Sequence, residues 1–436
     1  MGVALRQSAA VLLYRDRKVW LGQRGATRFL PGFWVFPGGA CETDEEHESA
    51  ARREVQEETG LLLTGPLQPL DRAITPAYAL VRFDTRIYAY EVGPTEEPVA
   101  DAQELRQGRW FDIAEILQLR DCGEVQLAPP TYRQLLAWRD IVEGHASWPT
   151  AEQAFAQPPM WQQEVLPLAD GITVVPLESG AMPPAAWTNA VIVGKQKLIV
   201  VDPGGPDPET LLAELNRRKA EGAEIGGVVL THHHPDHLAG YPALQLQHLP
   251  LWCHQITAPL LPEGFPEPTL LQDGETLHLE PGIRMVAHWT PGHAPGHLSL
   301  EIPERKTLLA ADLVSSLSSI VIPSSNGDLI AYLDSLNRMR ELNCSLIIPA
   351  HGPPYGEGGD PFGTAIAHRA ERERQVLACL RQAAEPQALD SLTETLYRGL
   401  DSRLMPAARA NVGHHLKKLA VEGKAQLHDD LWELKS

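Results

Sequence analysis

Residues 231–240 read THHHPDHLAG and directly follow a predicted buried strand. Loops at the carboxyl ends of buried strands are where α/β sheets place their functional sites. His232 and His234 alternate along this loop and can reach one metal ion together. Asp236 and His237 can reach a second ion. The stretch therefore predicts a metal-binding loop that needs further ligands from the ends of other strands.

Three later segments supply candidate ligands of that kind. The turn PGHAPGH contains His293, a predicted strand runs into Asp312, and the segment PAHGP contains His351. Imidazole and carboxylate ligands suit Zn²⁺, with Mn²⁺ and iron as alternatives. Predicted strands alternate with helices through this half of the chain, which indicates an α/β domain.

This ordered set of side chains resembles the metallo-β-lactamase superfamily over about residues 165–357. The resemblance implies an αββα sandwich with a dinuclear metal site, and hydrolysis rather than redox chemistry. It implies that the ions are held by His232, His234 and His293, by Asp236, His237 and His351, and by a bridging Asp312, with Asp236 also catalytic.

A second set of candidate ligands lies near the start of the chain, where residues 36–61 read FPGGACETDEEHESAARREVQEETGL. On a helix, Glu54, Glu57 and Glu58 stand at i, i+3 and i+4 and share one face. Like charges at this spacing destabilise a helix unless a cation such as Mg²⁺ or Mn²⁺ binds between them. The pattern therefore predicts a second metal site.

The helix that carries these carboxylates is predicted over residues 43–60. Thr43 and Glu46 have the spacing of a capping box at its start, and Gly60 is a typical helix end. The preceding Pro37-Gly38-Gly39 is a tight turn whose backbone can approach a ligand closely.

Residues 36–61 match the Nudix box in full, and about residues 5–145 resemble the Nudix hydrolases, which have an α/β/α sandwich fold. The resemblance implies metal-dependent cleavage of a nucleoside diphosphate linked to another group. It implies that Glu54, Glu57 and Glu58 hold Mg²⁺ or Mn²⁺ and that Arg53 orients them. The general base would be Glu57, Glu58 or a residue outside the box.

Residues outside the box set the choice of substrate. Arg28 and Arg82 lie in segments that resemble the coenzyme A and acyl-CoA diphosphatase branch, and they predict phosphate contacts; surface solubility is the alternative. With Gly38 and Gly39 they form the predicted substrate-binding set. The Leu-Leu-Thr-x-Thr-Ser element of bacterial coenzyme A pyrophosphatases is absent from the sequence, so ADP-ribose and other nucleotide conjugates stay open.

The tail of the chain predicts helices followed by a short hairpin, a pattern typical of a winged helix. Residues 411–424 resemble the C-terminal module of lactamase-β-like endoribonucleases. His414, His415, Lys417 and Lys418 are candidates for phosphate contact, with a packing module as the alternative.

Composition narrows the choice of partner and compartment. The net charge is −19, and residues 151–360 hold 24 acidic but 10 basic side chains, which disfavours nucleic acid. The sequence has neither an apolar run long enough to span a membrane nor a secretory signal, and its five cysteines are scattered. These features predict a cytoplasmic protein without membrane association.

The sequence thus predicts a Nudix domain over 1–145, a linker over 146–164, a metallo-β-lactamase-fold domain over 165–357, a breaker-rich joint, and a winged-helix-like module over 361–436. The predicted function is a bifunctional metal-dependent hydrolase. In the second domain, thioester or ester hydrolysis, as in glyoxalase-II-like relatives, fits the acidic charge and an acyl-CoA substrate in the first domain. Cleavage of single-stranded RNA fits the tail, and a metal-dependent regulatory module is the non-enzyme alternative.

Overall fold

The computed structural model describes residues 4–25, 30–79, 81–158, 164–383 and 385–435. The strands of this part of the chain form four sheets, two with seven strands, one with five and one with three. Within these ranges, no helix combines the length and the apolar character needed to cross a membrane.

The first unit is a seven-stranded sheet between helices. Its elements are β1 Leu5–Arg15, β2 Lys18–Arg24, β3 Trp34–Val35, β4 Gly38–Ala40, α1 His47–Thr59, β5 Gln68–Ile74, β6 Arg82–Glu91, β7 Leu105–Asp112, α2 Ile113–Asp121, α3 Pro129–Val142 and α4 Ala151–Ala154. The strand order is β3-β2-β1-β6-β5, with β4 on β1, β7 on β2, and β1 parallel to β6. Side chains alternate along β1, so Val11 packs with α1 while Leu12 packs with α2 and α3. The unit is therefore an α/β/α sandwich.

The second unit stacks two sheets between helices. Its elements are β8 Leu166–Ala169, β9 Ile172–Glu178, β10 Trp187–Val193, β11 Lys197–Val201, α5 Glu209–Ala220, β12 Glu224–Val229, α6 Pro235–Leu238, β13 Leu251–His254, β14 Thr269–Leu271, β15 Thr276–Glu280, β16 Ile283–Trp289, β17 Leu298–Ile302, β18 Thr307–Ala311, α7 Leu329–Glu341 and β19 Leu346–Pro349. Strands β8 to β14 form one sheet and β15 to β19 the other, each in sequence order.

Apolar residues fill the space between the two sheets and cover their outer faces. Ile199 of β11 packs with Leu300 of β17 between the sheets. On the outer faces, Val200 packs against α5 and Leu308 packs against α7. The alternation places successive residues of one strand in different layers, which gives the αββα sandwich.

The C-terminal unit contains three helices and a small sheet. Its elements are α8 Pro361–Gln382, β20 Gln387–Ala388, α9 Leu389–Leu396, α10 Met405–Val421, β21 Ala425–His428 and β22 Leu431–Leu434. Val376, Leu416 and Trp432 belong to its core. Helices followed by a short hairpin agree with the predicted winged-helix pattern.

The predicted capping box of α1 is wrong. The helix begins at His47 with Glu46 as its N-cap residue, and the Glu46 side chain accepts no capping hydrogen bond. The reason is local: the Glu45 carboxylate accepts from the Glu42 backbone N–H at 2.8 Å and pairs with Arg53, so a tight turn precedes the helix. The helix end at Gly60, with φ of 69°, is as predicted.

Residues 353–359, which belong to the breaker-rich joint predicted over 353–361, pack against the first unit. The Gly356 N–H donates to the Pro31 carbonyl at 2.9 Å, and Glu357 N–H donates to the Gln126 side chain at 3.1 Å. A Cβ atom on Gly32 would lie 2.0 Å from the Glu357 carbonyl oxygen, so the two backbones touch. The segment therefore joins the first and second units.

The first and second units also share one apolar core. Leu30, Phe33 and Ala128 of the first unit belong to the same buried cluster as Leu168 and the residues between the two sheets. Polar contacts border this core: the Arg120 guanidinium donates to the Pro167 carbonyl at 3.0 Å, and Lys306 pairs with Glu124 at 2.6 Å. The two units are packed as one body around a hydrophobic interface.

Candidate functional site

The first candidate site stands where α1 meets β4. Ala51 and Val55 are fully buried and fix α1 against the sheet, which holds the helix carboxylates next to β4. Glu54 and Glu58 are largely buried beneath the Gly38-Gly39 strand, whereas the Glu57 side chain is 59 % exposed.

Arg53 ties these carboxylates together. Its guanidinium donates to Glu54 and to Glu57, each at 2.9 Å, and to both oxygens of Glu45, at 2.9 and 3.0 Å. It also donates to the Ala40 carbonyl of β4 at 3.0 Å. Arg53 thus has the orienting contacts that the sequence predicts, and Glu45 is a partner that the sequence analysis did not select.

Glu58 holds a buried carboxyl group at the centre of this site. Burial raises its pKa, Glu104 and Glu54 raise it further, and the Gly38 N–H bond at 2.9 Å opposes them, so that the pKa reaches about 8. Burial also raises the pKa of Glu54. Carboxyl groups crowded in this way disfavour full ionisation unless a cation joins them, so the donor set fits a divalent ion.

The two glycines of β4 stand where a side chain would clash with neighbouring atoms. A Cβ atom on Gly39 would lie 2.5 Å from the Glu54 carboxylate. Gly38 has φ of 154°, and a Cβ there would lie 2.3 Å from the Ala9 carbonyl oxygen. Both glycines also line the adjacent cavity.

That cavity has a volume of about 390 Å³ and contains charged groups beside the carboxylates. Glu58, Glu104, Arg24 and Arg133 line it. Glu104 was missed by the sequence analysis because it lies far from the box and is brought to Glu58 only by folding.

The predicted substrate arginines have different outcomes. Arg28 lies outside the described residues. Arg82 lies at the start of β6, where its guanidinium donates to the Thr75 carbonyl at 3.0 Å, and the neighbouring Phe83, not Arg82, lines the cavity. Arg24 and Arg133 are the arginines that the structure places around the cavity.

The second candidate site lies at the carboxyl ends of strands in both sheets of the second unit. The loop between β12 and α6 supplies His232 and His234, and α6 supplies Asp236 and His237. The remaining three side chains follow β16, β18 and β19, respectively; they are His293, Asp312 and His351.

The structure brings these seven side chains into two adjacent groups. Each group has ligand atoms within 4.8 Å of one another, and the groups are His232, His234, His293 and Asp312, and Asp236, His237 and His351. Asp312 faces both groups: its Oδ2 lies 3.2 Å from His293 Nε2, and its Oδ1 lies 3.3 Å from His351 Nε2 and 3.5 Å from His237 Nε2. The placement agrees with a bridging carboxylate.

Outer hydrogen bonds turn the lone pairs of the imidazoles inward. His293 Nδ1 lies 2.7 Å from the Val321 carbonyl and His351 Nδ1 lies 2.9 Å from the Trp187 carbonyl, so both nitrogens must carry the proton. His237 Nδ1 donates to Asp202 at 2.8 Å. A histidine that binds a metal ion is neutral, so the opposite nitrogen of each ring would then be a bare acceptor that points at the site.

The same reasoning covers His232. The Thr231 hydroxyl donates to Asp202 at 2.6 Å, so it accepts from His232 Nδ1 at 3.1 Å. His232 Nε2 is therefore a bare acceptor, yet it lies 3.0 Å from His234 Nδ1, which in turn lies 2.8 Å from His293 Nε2. His234 Nδ1 can donate to only one of these two nitrogens, so at least one buried acceptor is left that a bound cation would satisfy.

Unpartnered atoms support this fit. Within the described part of the chain, the buried His237 Nε2 and Asp312 Oδ1 have no hydrogen-bond partner. Burial and the neighbouring imidazoles lower the pKa of His234 to about 3, which keeps it neutral. Burial lowers the pKa of His351, but Asp312 and Asp236 outweigh burial and raise it to about 10. The two carboxylates therefore stabilise a positive charge at this position. The donor set fits two divalent cations.

His297 is close to the site and supports it. The Asp312 backbone N–H donates to His297 Nε2 at 3.1 Å, and His297 Nδ1 lies 2.8 Å from the Thr290 hydroxyl. Both ring nitrogens are engaged, so His297 positions the strand end that carries Asp312.

Three of the four tail residues predicted to contact phosphate are buried or half-buried. His415 is fully buried, and His414 is 5 % exposed and bonds the Pro323 carbonyl at 3.0 Å. Lys418 pairs with Glu373 at 2.7 Å. Of the four candidates for phosphate contact, Lys417 alone is exposed.

Two sandwich domains, each with carboxylate or imidazole donors gathered at strand ends, define a metal-dependent type of hydrolase. Family profiles agree along the chain: residues 4–138 match the NUDIX domain, residues 188–351 the Metallo-beta-lactamase superfamily, and residues 388–432 the Beta-lactamase associated winged helix domain. The chain belongs to the metallo-β-lactamase superfamily, is a hydrolase, and carries a Nudix domain at its start and a winged-helix domain at its end.

Named relatives resemble about half of the chain. The lactamase-like protein adaB of Aspergillus niger is 31 % identical over a region covering 54 % of this chain and 76 % of that protein. The atrochrysone carboxyl ACP thioesterase nsrC of Aspergillus novofumigatus is 30 % identical, over 45 % of this chain and 59 % of that protein. The structure of a beta-lactamase domain protein from Burkholderia ambifaria shares the fold, with a TM-score of 0.52, 20 % identity, and coverage of 62 % of this chain and 93 % of that one.

Proposed function

We propose that the chain is a bifunctional hydrolase with two independent metal sites. The first domain cleaves a nucleoside diphosphate linked to another group, and the second hydrolyses a thioester. The observation that carries the first activity is the gathering of Glu54, Glu58 and Glu104 beside a cavity. The convergence of seven ligand side chains carries the second.

In the first domain, Glu54, Glu57 and Glu58 would hold Mg²⁺ or Mn²⁺. Such ions supply charge stabilisation of the phosphates and a more acidic water. Arg53 keeps the carboxylates in place through its bonds to Glu54 and Glu57. The general base is one of Glu57, Glu58 and Glu104. Arg24 and Arg133 line the cavity and bind phosphate oxygens of the substrate.

In the second domain, His232, His234 and His293 would hold one Zn²⁺, and Asp236, His237 and His351 the other, with Asp312 between them. Zinc supplies Lewis-acid polarisation of a carbonyl and lowers the pKa of water. Asp202 fixes two of the rings, directly at His237 and through Thr231 at His232. Asp236 lies 3.4 Å from His351 and takes up the proton that the reaction releases.

Thioester chemistry is favoured over RNA cleavage by charge and by the tail. One relative, 30 % identical over 45 % of this chain, is a carboxyl ACP thioesterase. The acidic domain repels a phosphate backbone, and His414, His415 and Lys418 are engaged inside the protein. RNA cleavage is the second candidate, because the associated winged helix is present.

The test is to incubate the full chain with an acyl-CoA, Mg²⁺ and Zn²⁺ and to identify products by mass spectrometry. Adenosine 3′,5′-bisphosphate should form in wild type and Asp236→Ala but fall by about three orders of magnitude in Glu57→Gln. Free coenzyme A should form in wild type and Glu57→Gln but not in Asp236→Ala. Glu46→Gln, an exposed neighbour of the first site, is the matched control.

Intact acyl-CoA with wild-type protein would overturn the coenzyme A substrate, and ADP-ribose would then test the diphosphate reaction itself. RNA cleavage that Asp236→Ala abolishes would replace the thioester assignment.

A further inference from the structure

The cavity beside Glu58 is not closed by the first domain alone. The second domain contributes part of its wall: Leu166 and Leu168 from β8, and Pro353 and Pro354 from the segment after β19. These four side chains lack charge and hydrogen-bonding groups. They favour only an apolar part of a ligand.

The first domain lines the rest of the cavity with both charged and apolar groups. Glu58 and Glu104 stand close to Arg24: burial lowers the pKa of the Arg24 guanidinium and both carboxylates raise it, while Glu104 also raises the pKa of Glu58. Arg133 lines the cavity as well. Leu30, Phe36 and Ala128 of the first domain extend the apolar lining, and Leu30 and Ala128 share a buried cluster with Leu168.

The second-domain wall is firmly attached. Pro353 and Pro354 are followed by Gly356 and Glu357, whose backbone N–H groups bond Pro31 and Gln126 of the first domain. The Gly356 nitrogen lies 2.9 Å from the Pro31 carbonyl oxygen, and the Glu357 nitrogen lies 3.1 Å from the Gln126 side-chain oxygen. The wall is thus preformed by the domain interface, which lowers the cost of ordering it on binding.

We infer that the two domains together form one composite substrate site for a nucleoside diphosphate joined to a linear apolar group. The diphosphate lies by Arg24 and the glutamates, and the apolar group lies against Leu166, Leu168 and the two prolines. This inference rests on the proposed diphosphate reaction and names the substrate class for it.

Binding tests the inference apart from the chemistry. The probes are ethyl, butyl, hexyl and octyl esters of an ADP analogue whose bridging oxygen is a methylene group, so that they resist hydrolysis. Calorimetry with the full chain and Mg²⁺ should show Kd falling by about fourfold per methylene group that enters the cavity.

The variant Leu166→Gln places a polar amide on the wall at a half-buried position. It should weaken the octyl ester at least tenfold and change ADP-ribose binding by less than twofold. Leu270→Gln, on the exposed edge of the same sheet, should change neither. If Leu166→Gln fails to fold, Leu166→Ala should weaken the octyl ester by a smaller factor, with thioester hydrolysis as the check on folding.

Equal affinity across the ester series, or equal loss of octyl ester and ADP-ribose in Leu166→Gln, would overturn the composite site. Affinity that rises with chain length while the natural diphosphate esters stay uncleaved would support the site and overturn the proposed reaction.

Discussion

Glu58 is a residue whose protonation couples the first site to folding. Its pKa of about 8 in the folded chain exceeds its ordinary value of 4.5, chiefly because it is buried. Between these values the unfolded chain has released the proton while the folded chain still holds it. Stability therefore falls as pH rises from 4.5 towards 8 and is constant above that range.

We expect Glu58→Gln, which cannot ionise, to unfold at a higher temperature than wild type in EDTA at about pH 9, by an amount worth about 2 kcal/mol. Near pH 4 the two proteins should agree. Mg²⁺ at about pH 9 should raise the melting temperature of wild type but not of the variant. Thermal unfolding followed by circular dichroism measures all three, and a variant no more stable than wild type at high pH would contradict the assignment.

The backbone conformation of Ala311 bears on the second candidate site. Ala311 precedes Asp312, the proposed bridging ligand, and has φ of 46°, in the left-handed region. A methyl group is held there, whereas a β-branched side chain is not compatible with this conformation.

Ala311→Val should lower the free energy of unfolding by about 2 kcal/mol and reduce bound zinc, because the strand end must shift. Ala311→Gly should keep the zinc content of wild type and is the matched control. Metal analysis of the purified proteins measures the zinc content, and thermal unfolding measures the loss of stability. A Val variant with full zinc would show that the strand end tolerates rearrangement.

At the scale of elements, α8 and α10 of the C-terminal unit hold the loop that orients a metal ligand. Arg369 of α8 donates to the Ile320 carbonyl, and His414 of α10 bonds the Pro323 carbonyl at 3.0 Å. Between them, the Val321 carbonyl accepts from His293 Nδ1 at 2.7 Å. The C-terminal unit therefore positions His293 through this loop.

Arg369→Ala should weaken zinc affinity by about tenfold, in the range seen when a hydrogen bond behind a metal ligand is lost. Arg372→Ala is the control, since Arg372 lies on the same helix but faces the Tyr397 ring. Competition with a chromophoric chelator measures the affinity. Equal losses in both variants would indicate general loosening of the helix and not positioning of His293.

The sequence predicts the elements that carry local signals and misses those set by distant partners. The spacing of Glu54, Glu57 and Glu58 on α1, and the cluster from His232 to His237, are local patterns, so their placement together follows from the chain order. Glu104 and the carbonyls of Val321 and Trp187 have no local signature, because folding alone brings them to the sites. The predicted capping box of Thr43 and Glu46 does not form, because Glu45 bonds the Glu42 N–H and Arg53 in a turn before the helix begins.

At the scale of the whole molecule, the first and second domains have a common core. Phe33 is fully buried in the cluster that also contains Leu168 and Ile348. We expect the two domains to unfold in one calorimetric transition. Phe33→Ala should lower the free energy of unfolding in that transition by about 3–5 kcal/mol.

The control is Leu392→Ala, which lies in the separate core of the C-terminal unit. It should destabilise the C-terminal unit and leave the melting temperature of the main transition within about a degree of wild type. Two resolved transitions for the first and second domains would contradict a common core.

Segment 353–359 touches both candidate sites, because it follows His351 of the second domain and contributes Pro353 and Pro354 to the cavity beside Glu58. Without the first domain, the second would expose apolar side chains to water. Without the second domain, the cavity of the first would lose part of its wall. The apolar interface therefore makes the stability of each of these two domains depend on the presence of the other.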